Sequence, residues 1–204
     1  MRSELMMLIE ETTIPEVALP ITQFKAHLRL GTGFAENSLQ DEILVSFLRA
    51  AVAAIEARSG KVLIARDFSL TLHRWRDRGG EVLPVAPVRD VQQLVLVDAM
   101  GVETVLATED YRLEKDSQRP RLRPAGSLFP MVAVGGSIKV SFTAGMATDW
   151  GGLPADLAQA VLLLAAHYYE YRNETGLSDG CMPFGVSSLI QRFRQVRLGL
   201  GAGL

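Results

Sequence analysis

Apolar residues recur at helical spacing near both ends of this chain and at alternating spacing between them. Leu39, Ile43, Leu44, Phe47, Leu48, Ala51 and Ile55 make one stripe; Leu157, Ala160, Val161, Leu164, Ala165 and Tyr168 make another. Steps of three and four residues place each set on one helix face. Across residues 62–145 the period drops to two, as in Phe68, Leu70 and Leu72, with polar neighbours between. Parallel strands would need a crossover of a dozen or more residues between them, usually a helix, and no helical period is legible there. The sheet is therefore expected to be mostly antiparallel. The fold class follows as α+β: a small helical bundle carrying a large β insertion, with a C-terminal amphipathic helix and tail.

Residues 1–20 read as an N-terminal arm, with Glu4, Glu10, Glu11, Glu16, Pro15 and Pro20 and no sustained period. Thr22 is expected to cap a helix over 22–30, stopped by Gly31-Thr32-Gly33. A second helix is expected over 38–59, capped by Asn37 or Ser38. Asp41 and Glu42 lie in its first turn, where the helix dipole favours acids, and Gly60 ends it. Strands are expected at 68–72, 81–83, 91–97, 102–106, 111–113, 121–123 and 137–143, with Asp98-Ala99-Met100-Gly101 turning a hairpin. A third helix is expected over 154–172, opening on Pro154. Residues 21–172 thus form one domain, and 173–204 a loop followed by an amphipathic helix and a glycine-rich tail.

Formal net charge is -2 over 204 residues, so no basic field marks the whole chain as a nucleic-acid binder. The single cysteine, Cys181, excludes an internal disulfide framework and a multi-thiolate zinc site. The run Leu5-Met6-Met7-Leu8-Ile9 is too short for a signal-peptide core, and no apolar stretch approaches the roughly 20 residues of a membrane span.

The search for chemistry returns little. Gly31-Thr32-Gly33 and the terminal Gly199, Gly201, Gly203 series lack the strand and helix that a phosphate-binding loop needs. No serine occupies a nucleophile elbow. His27, His73 and His167 lie on separate elements; His167 and Glu170 share a helix face, which fits a surface pair involving Arg172 better than a metal site. Catalytic, cofactor and metal residues are accordingly expected to be none. Two arginine trios, Arg74/Arg76/Arg78 and Arg119/Arg121/Arg123, would each share one face of a strand. They offer a DNA-binding alternative, although Asp77, Glu81, Glu114 and Asp116 favour salt-bridged faces. A small enzyme of unidentified chemistry is the other alternative. The C-terminal segment is more telling. Val186, Leu189, Ile190 and Phe193 repeat at helical spacing, Arg192, Arg194 and Arg197 accompany them, and no acid occurs after Cys181. Such a helix either folds onto its own core or enters a partner's groove.

The succession of these pieces resembles the head–tail connector (adaptor, or head-completion) proteins of long-tailed bacteriophages, prophages and phage-derived gene transfer agents. The resemblance spans about residues 21–172. It rests on Ile21-Thr22, Lys25-Ala26-His27-Leu28-Arg29, Ile55-Glu56-Ala57-Arg58-Ser59-Gly60 and Leu83-Pro84-Val85-Ala86-Pro87-Val88. Asp110-Tyr111, Phe142-Thr143-Ala144-Gly145, Leu153-Pro154-Ala155-Asp156-Leu157 and His167-Tyr168-Tyr169-Glu170-Tyr171-Arg172 complete it. The resemblance implies a structural protein made in the bacterial cytoplasm and assembled at the particle neck. It implies a ring, commonly a dodecamer, between the portal and the stopper or tail-terminator proteins, with DNA passing through without specific binding, no cofactor and no membrane. Within that frame Val186, Leu189, Ile190, Arg192, Phe193, Arg194 and Arg197 are the expected portal-binding residues.

Overall fold

A computed structural model describes residues 6–30, 38–172 and 182–194. Gly31-Thr32-Gly33, Asn37, Cys181 with most of its loop, Arg197 and the Gly199 to Gly203 series lie outside the described residues. The chain divides into two units: residues up to Leu19 join Val62–Leu153 in a β unit, and Pro20–Lys61 joins Pro154–Leu204 in a helical unit.

The β unit holds eight strands: β1 (Met6–Glu10), β2 (Arg66–Leu72), β3 (Glu81–Val82), β4 (Val88–Val97), β5 (Glu103–Val105), β6 (Tyr111–Glu114), β7 (Arg121–Pro124) and β8 (Ser137–Ala144). They form a five-stranded sheet in the order β1-β2-β8-β4-β5 and a three-stranded sheet in the order β3-β7-β6, with every strand pair antiparallel. Alternation decides which face is dry. Phe68, Leu70 and Leu72 on β2 lie level with Phe142, Val140 and Ile138 on β8, and all six are buried. Leu94 on β4 continues that layer, and Leu122 of the smaller sheet joins the same core. Two irregularities, between Val88 and Asp90 and between Val91 and Gln93, bend β4 along β8.

The expected arm is a correction. Its residues 6–10 form β1, the outermost strand of the larger sheet, paired with β2 over its whole length. Two glutamates fasten it: Glu10 takes Arg66 in two contacts of 2.7 and 3.0 Å, and Glu11 accepts the Ser69 hydroxyl. A strand of five residues ending in paired acids has too few alternations to stand out in the sequence.

The helical unit contains α1 (Ile21–His27), α2 (Ser38–Ser59), α3 (Ala155–Glu170) and α4 (Phe184–Ile190). Helix α1 begins one residue before Thr22, with Pro20 at the cap position, so Thr22 sits inside the first turn and caps nothing. Helix α3 likewise takes Pro154 as its cap and stops at Glu170. Leu44, Leu48, Ala51 and Ile55 of α2 are fully buried, as are Leu157, Ala160, Val161 and Ala165 of α3. The buried arc of α2 is rotated from the expected stripe. Val45 and Val52 lie inside it, whereas Ile43 is exposed and Phe47 is half-buried, edge-on to Tyr169 at 5.9 Å. Phe24 is fully buried on α1, and Lys25 pairs with Asp41 of α2.

This geometry separates two neighbouring positions. Leu48→Ala should cost about 2–5 kcal/mol as a large-to-small core change. Phe47→Ala, which keeps part of its surface in water already, should cost clearly less. Denaturant melts of both variants check the order, and equal losses would place the arc wrongly.

Candidate functional site

The C-terminal segment shows how local sequence fixes a surface. Helix α4 follows Pro183, which stands at its cap position, and a 3-10 turn over Gln191–Phe193 continues it. Val186 and Ile190, four residues apart, are each 1% exposed and pack toward α3. Leu189 and Phe193 are half-buried, and Arg192 and Arg194 are exposed. Arg192 pairs with Asp156 on the first turn of α3 at 2.9 Å and covers the Phe193 ring at 4.7 Å. The expectation that the whole stripe meets a partner is corrected for its two deepest members. Val186 and Ile190 bury their apolar surface inside their own unit, because a short helix beside α3 removes both from water at once. What the segment presents outward is Arg192, Arg194, Gln191 and the fully turned-out Phe184, which is 89% exposed.

The arginine trios also separate. β2 ends at Leu72, so Arg74, Arg76 and Arg78 lie in an irregular connection and share no strand face. The backbone there is shaped by two aromatic rings. Trp75 stacks on Phe129 at 4.2 Å and donates its indole N–H to the Pro130 carbonyl, while Arg78 Nε donates to the Phe129 carbonyl. Arg119 precedes β7, its backbone N–H donating to Asp116. Only Arg121 and Arg123 share a face. Arg112 and Glu114 lie opposite Arg123 and Arg121 across the ladder, so the four form one charged face. Arg123 donates to Glu114 at 2.7 Å and to the Gly79 carbonyl at 3.0 Å. The arginines around Glu114 hold its carboxyl below the usual range, Arg123 first through its hydrogen bond. The Arg76, Arg78 and Arg123 guanidinium groups face the protein's own carboxylates and carbonyls, which weakens a phosphate-binding reading for those three.

Glu81, expected from sequence on a salt-bridged face, has a different setting. It lies on the inward face of β3, level with Leu122, and is buried. One oxygen accepts the Arg76 backbone N–H at 2.8 Å; the other has the Arg76 guanidinium at 3.8 Å and no hydrogen-bond donor among the described residues. Burial pushes its carboxyl above the ordinary value, against the lowering effect of Arg76. The only signal in sequence was an acid standing where the alternation of a two-residue strand placed an inward side chain.

His167 and Glu170 do not form the expected pair with Arg172. The His167 ring lies 4.7 Å from the Tyr171 ring, and Arg172 covers Tyr169 and donates to its carbonyl. Among the described residues no cluster of three His, Cys, Asp or Glu could hold a metal ion, and no helix is long and apolar enough to cross a membrane.

Solved structures supply what the chemistry does not. No protein-family model matches the chain, and no curated protein matches it. The neck of an empty gene transfer agent particle computed with C6 symmetry contains a chain 51% identical, covering 97% of this chain and 100% of that one, with a TM-score of 0.86. The virion of a native gene transfer agent particle contains one 50% identical, covering 96% and 98%, at TM-score 0.82. The neck of a native particle computed with C12 symmetry contains one 46% identical, covering 97% and 100%, at TM-score 0.80. An α+β fold matched nearly end to end by components of particle necks is that of a structural protein of the virion neck. The chain belongs to the head–tail connector family, and the matching chains come from gene transfer agent particles.

The buried carboxyl gives a pH test with a definite sign. Because the folded value of Glu81 is raised, folding opposes its ionisation. That group costs no stability below its unfolded pKa and progressively more as pH rises through the folded value. The stability of Glu81→Gln relative to the parent should therefore grow as pH rises above the ordinary glutamate value of about 4.3. A difference independent of pH would show that Glu81 keeps its ordinary ionisation.

Proposed function

We propose that copies of this chain form a ring in the particle neck that joins the portal of the DNA-filled head to the stopper and tail. The ring surrounds part of the conduit through which DNA passes. The observation that supports this most directly is near full-length similarity, at 46–51% identity, to components of necks with six- and twelve-fold symmetry. The protein acts by assembly and not by catalysis. A net charge of -2 suits a conduit, since every arginine–phosphate contact would add sequence-independent affinity and slow the passage of DNA. Arg76, Arg78, Arg123 and Arg192, which face Glu81, the Phe129 carbonyl, Glu114 and Asp156, agree with that role.

Attachment to the portal is assigned to the C-terminal segment. Val186 and Ile190 anchor the base of α4 to α3, so that Arg192 and Arg194 stand exposed beside the half-buried Leu189 and Phe193, and Arg197 follows them in sequence. An acidic groove on the portal is the complementary surface. One such segment binds modestly, and a ring of identical segments gains avidity through effective concentration.

Arg194→Glu changes an exposed side chain and leaves the Arg192–Asp156 pair and the α4 core intact. This variant should melt within about a degree of the parent and should fail to join tailless heads to tails in an in-vitro joining assay. Joining at the parent level would remove the portal role from this segment. Truncation after Gly185 is the complementary measurement: it strips Val186 and Ile190 from α3 and should lower the melting temperature.

A further inference from the structure

The larger sheet ends in two open edges. β1 pairs only with β2 and β5 only with β4 among the described residues. Four strand spacings separate them, about 19 Å. Closed rings of identical subunits are built from heterologous contacts, in which one patch meets a different patch on the next copy. Two edges on opposite sides of one sheet are a pair of that kind.

The hydrogen-bond pattern shows which backbone groups are free. Glu11 N–H donates to the Asp67 carbonyl, and in an antiparallel ladder the bonded pairs alternate. Met7 and Ile9 therefore bond to β2, while Met6, Leu8 and Glu10 direct their backbone groups away from the sheet. At the other edge, Leu106 N–H donates to Leu94 and Asp98 N–H to Val102. The same alternation directs the backbone groups of Glu103 and Val105 outward.

Chain direction and side-chain parity then agree. Four successive antiparallel pairings make β1 and β5 run the same way. A neighbour added in the same orientation meets this edge as a parallel strand, and in a parallel ladder one residue bonds to the two that flank its opposite number. Val105 can thus bond to Met6 and Leu8 while standing beside Met7. Following the register across the sheet, Met7, Thr71, Lys139, Val95 and Val105 lie level on the face opposite Leu70, Val140 and Leu94, with Val95 buried and Met7 and Val105 exposed at the two edges. Met7 is 54% exposed, Ile9 42% and Val105 57%. Apolar side chains at both edges would leave water together.

We propose that neighbouring copies in the ring are joined edge to edge, β5 of one copy adding to β1 of the next as a parallel strand with Val105 beside Met7. The occupant is a second copy of this chain. This assignment rests on the ring reading above and adds the contact that closes it.

The test uses assembled particles carrying Met7→Cys and Val105→Cys together in a Cys181→Ser background, treated with a short bis-maleimide. The expected result is a ladder of covalent multimers of this chain, absent from either single-cysteine variant. Monomers alone, from particles whose imaged necks contain a ring of this chain, would overturn the edge contact and leave the ring standing. Necks without such a ring would overturn the ring reading itself. Val105→Pro is the second variant. It removes an N–H that no strand of its own copy uses, so the free protein should keep its melting temperature while incorporation into necks falls at least tenfold. Normal incorporation would sink the proposal.

Discussion

The insertion of β8 between β2 and β4 is the pairing on which the β unit depends. Its inward residues Ile138, Val140, Phe142 and Ala144 are all fully buried, and Phe142 stacks on Phe68 at 5.7 Å. Without β8, β2 with β1 and β4 with β5 would be two hairpin-sized pieces, each too small to bury a face of its own. Gly145 protects the crossing at the end of this strand. A Cβ there would overlap the backbone of Ala65, and its N–H donates to the Pro87 carbonyl. The sequence Phe142-Thr143-Ala144-Gly145 therefore combines two inward side chains with a residue that must stay small.

How far the sequence could be read depended on how many residues repeat a pattern. β8, with eight residues of strict alternation, was legible with nearly its observed limits, and β2 from Phe68 to Leu72 by the same alternation. β1 was hidden because five residues next to acids resemble an exposed arm, and its partner lies almost sixty positions away. For α2 the helix was plain and its facing was not. Ile43 and Phe47 look like core residues, but the arc that meets α3 runs through Val45 and Val52. Periodicity specifies that a face exists, and only the neighbour decides which edge of a broad stripe is covered.

The same limit applied to the outward surfaces. A strand reading of Arg74, Arg76 and Arg78 required β2 to continue, and the Trp75–Phe129 stack ends it. In the C-terminal segment the stripe was correctly periodic, yet periodicity could not separate a helix bound to its own unit from one offered to a partner. Burial makes the division among the described residues of the segment: Val186 and Ile190 inward, Arg192 and Arg194 outward.

Interleaving of the two units has a consequence for synthesis on the ribosome. The β unit needs residues 6–19 and then waits for β8, while the helical unit holds α1 and α2 until α3 arrives. Neither can close on a nascent chain that stops short of residue 137. Fragments released early thus lack a finished sheet and a finished bundle alike, and become substrates for proteases. Quality control is thereby written into the chain order, since a particle that uses many copies in one ring would be spoiled by a single incomplete one.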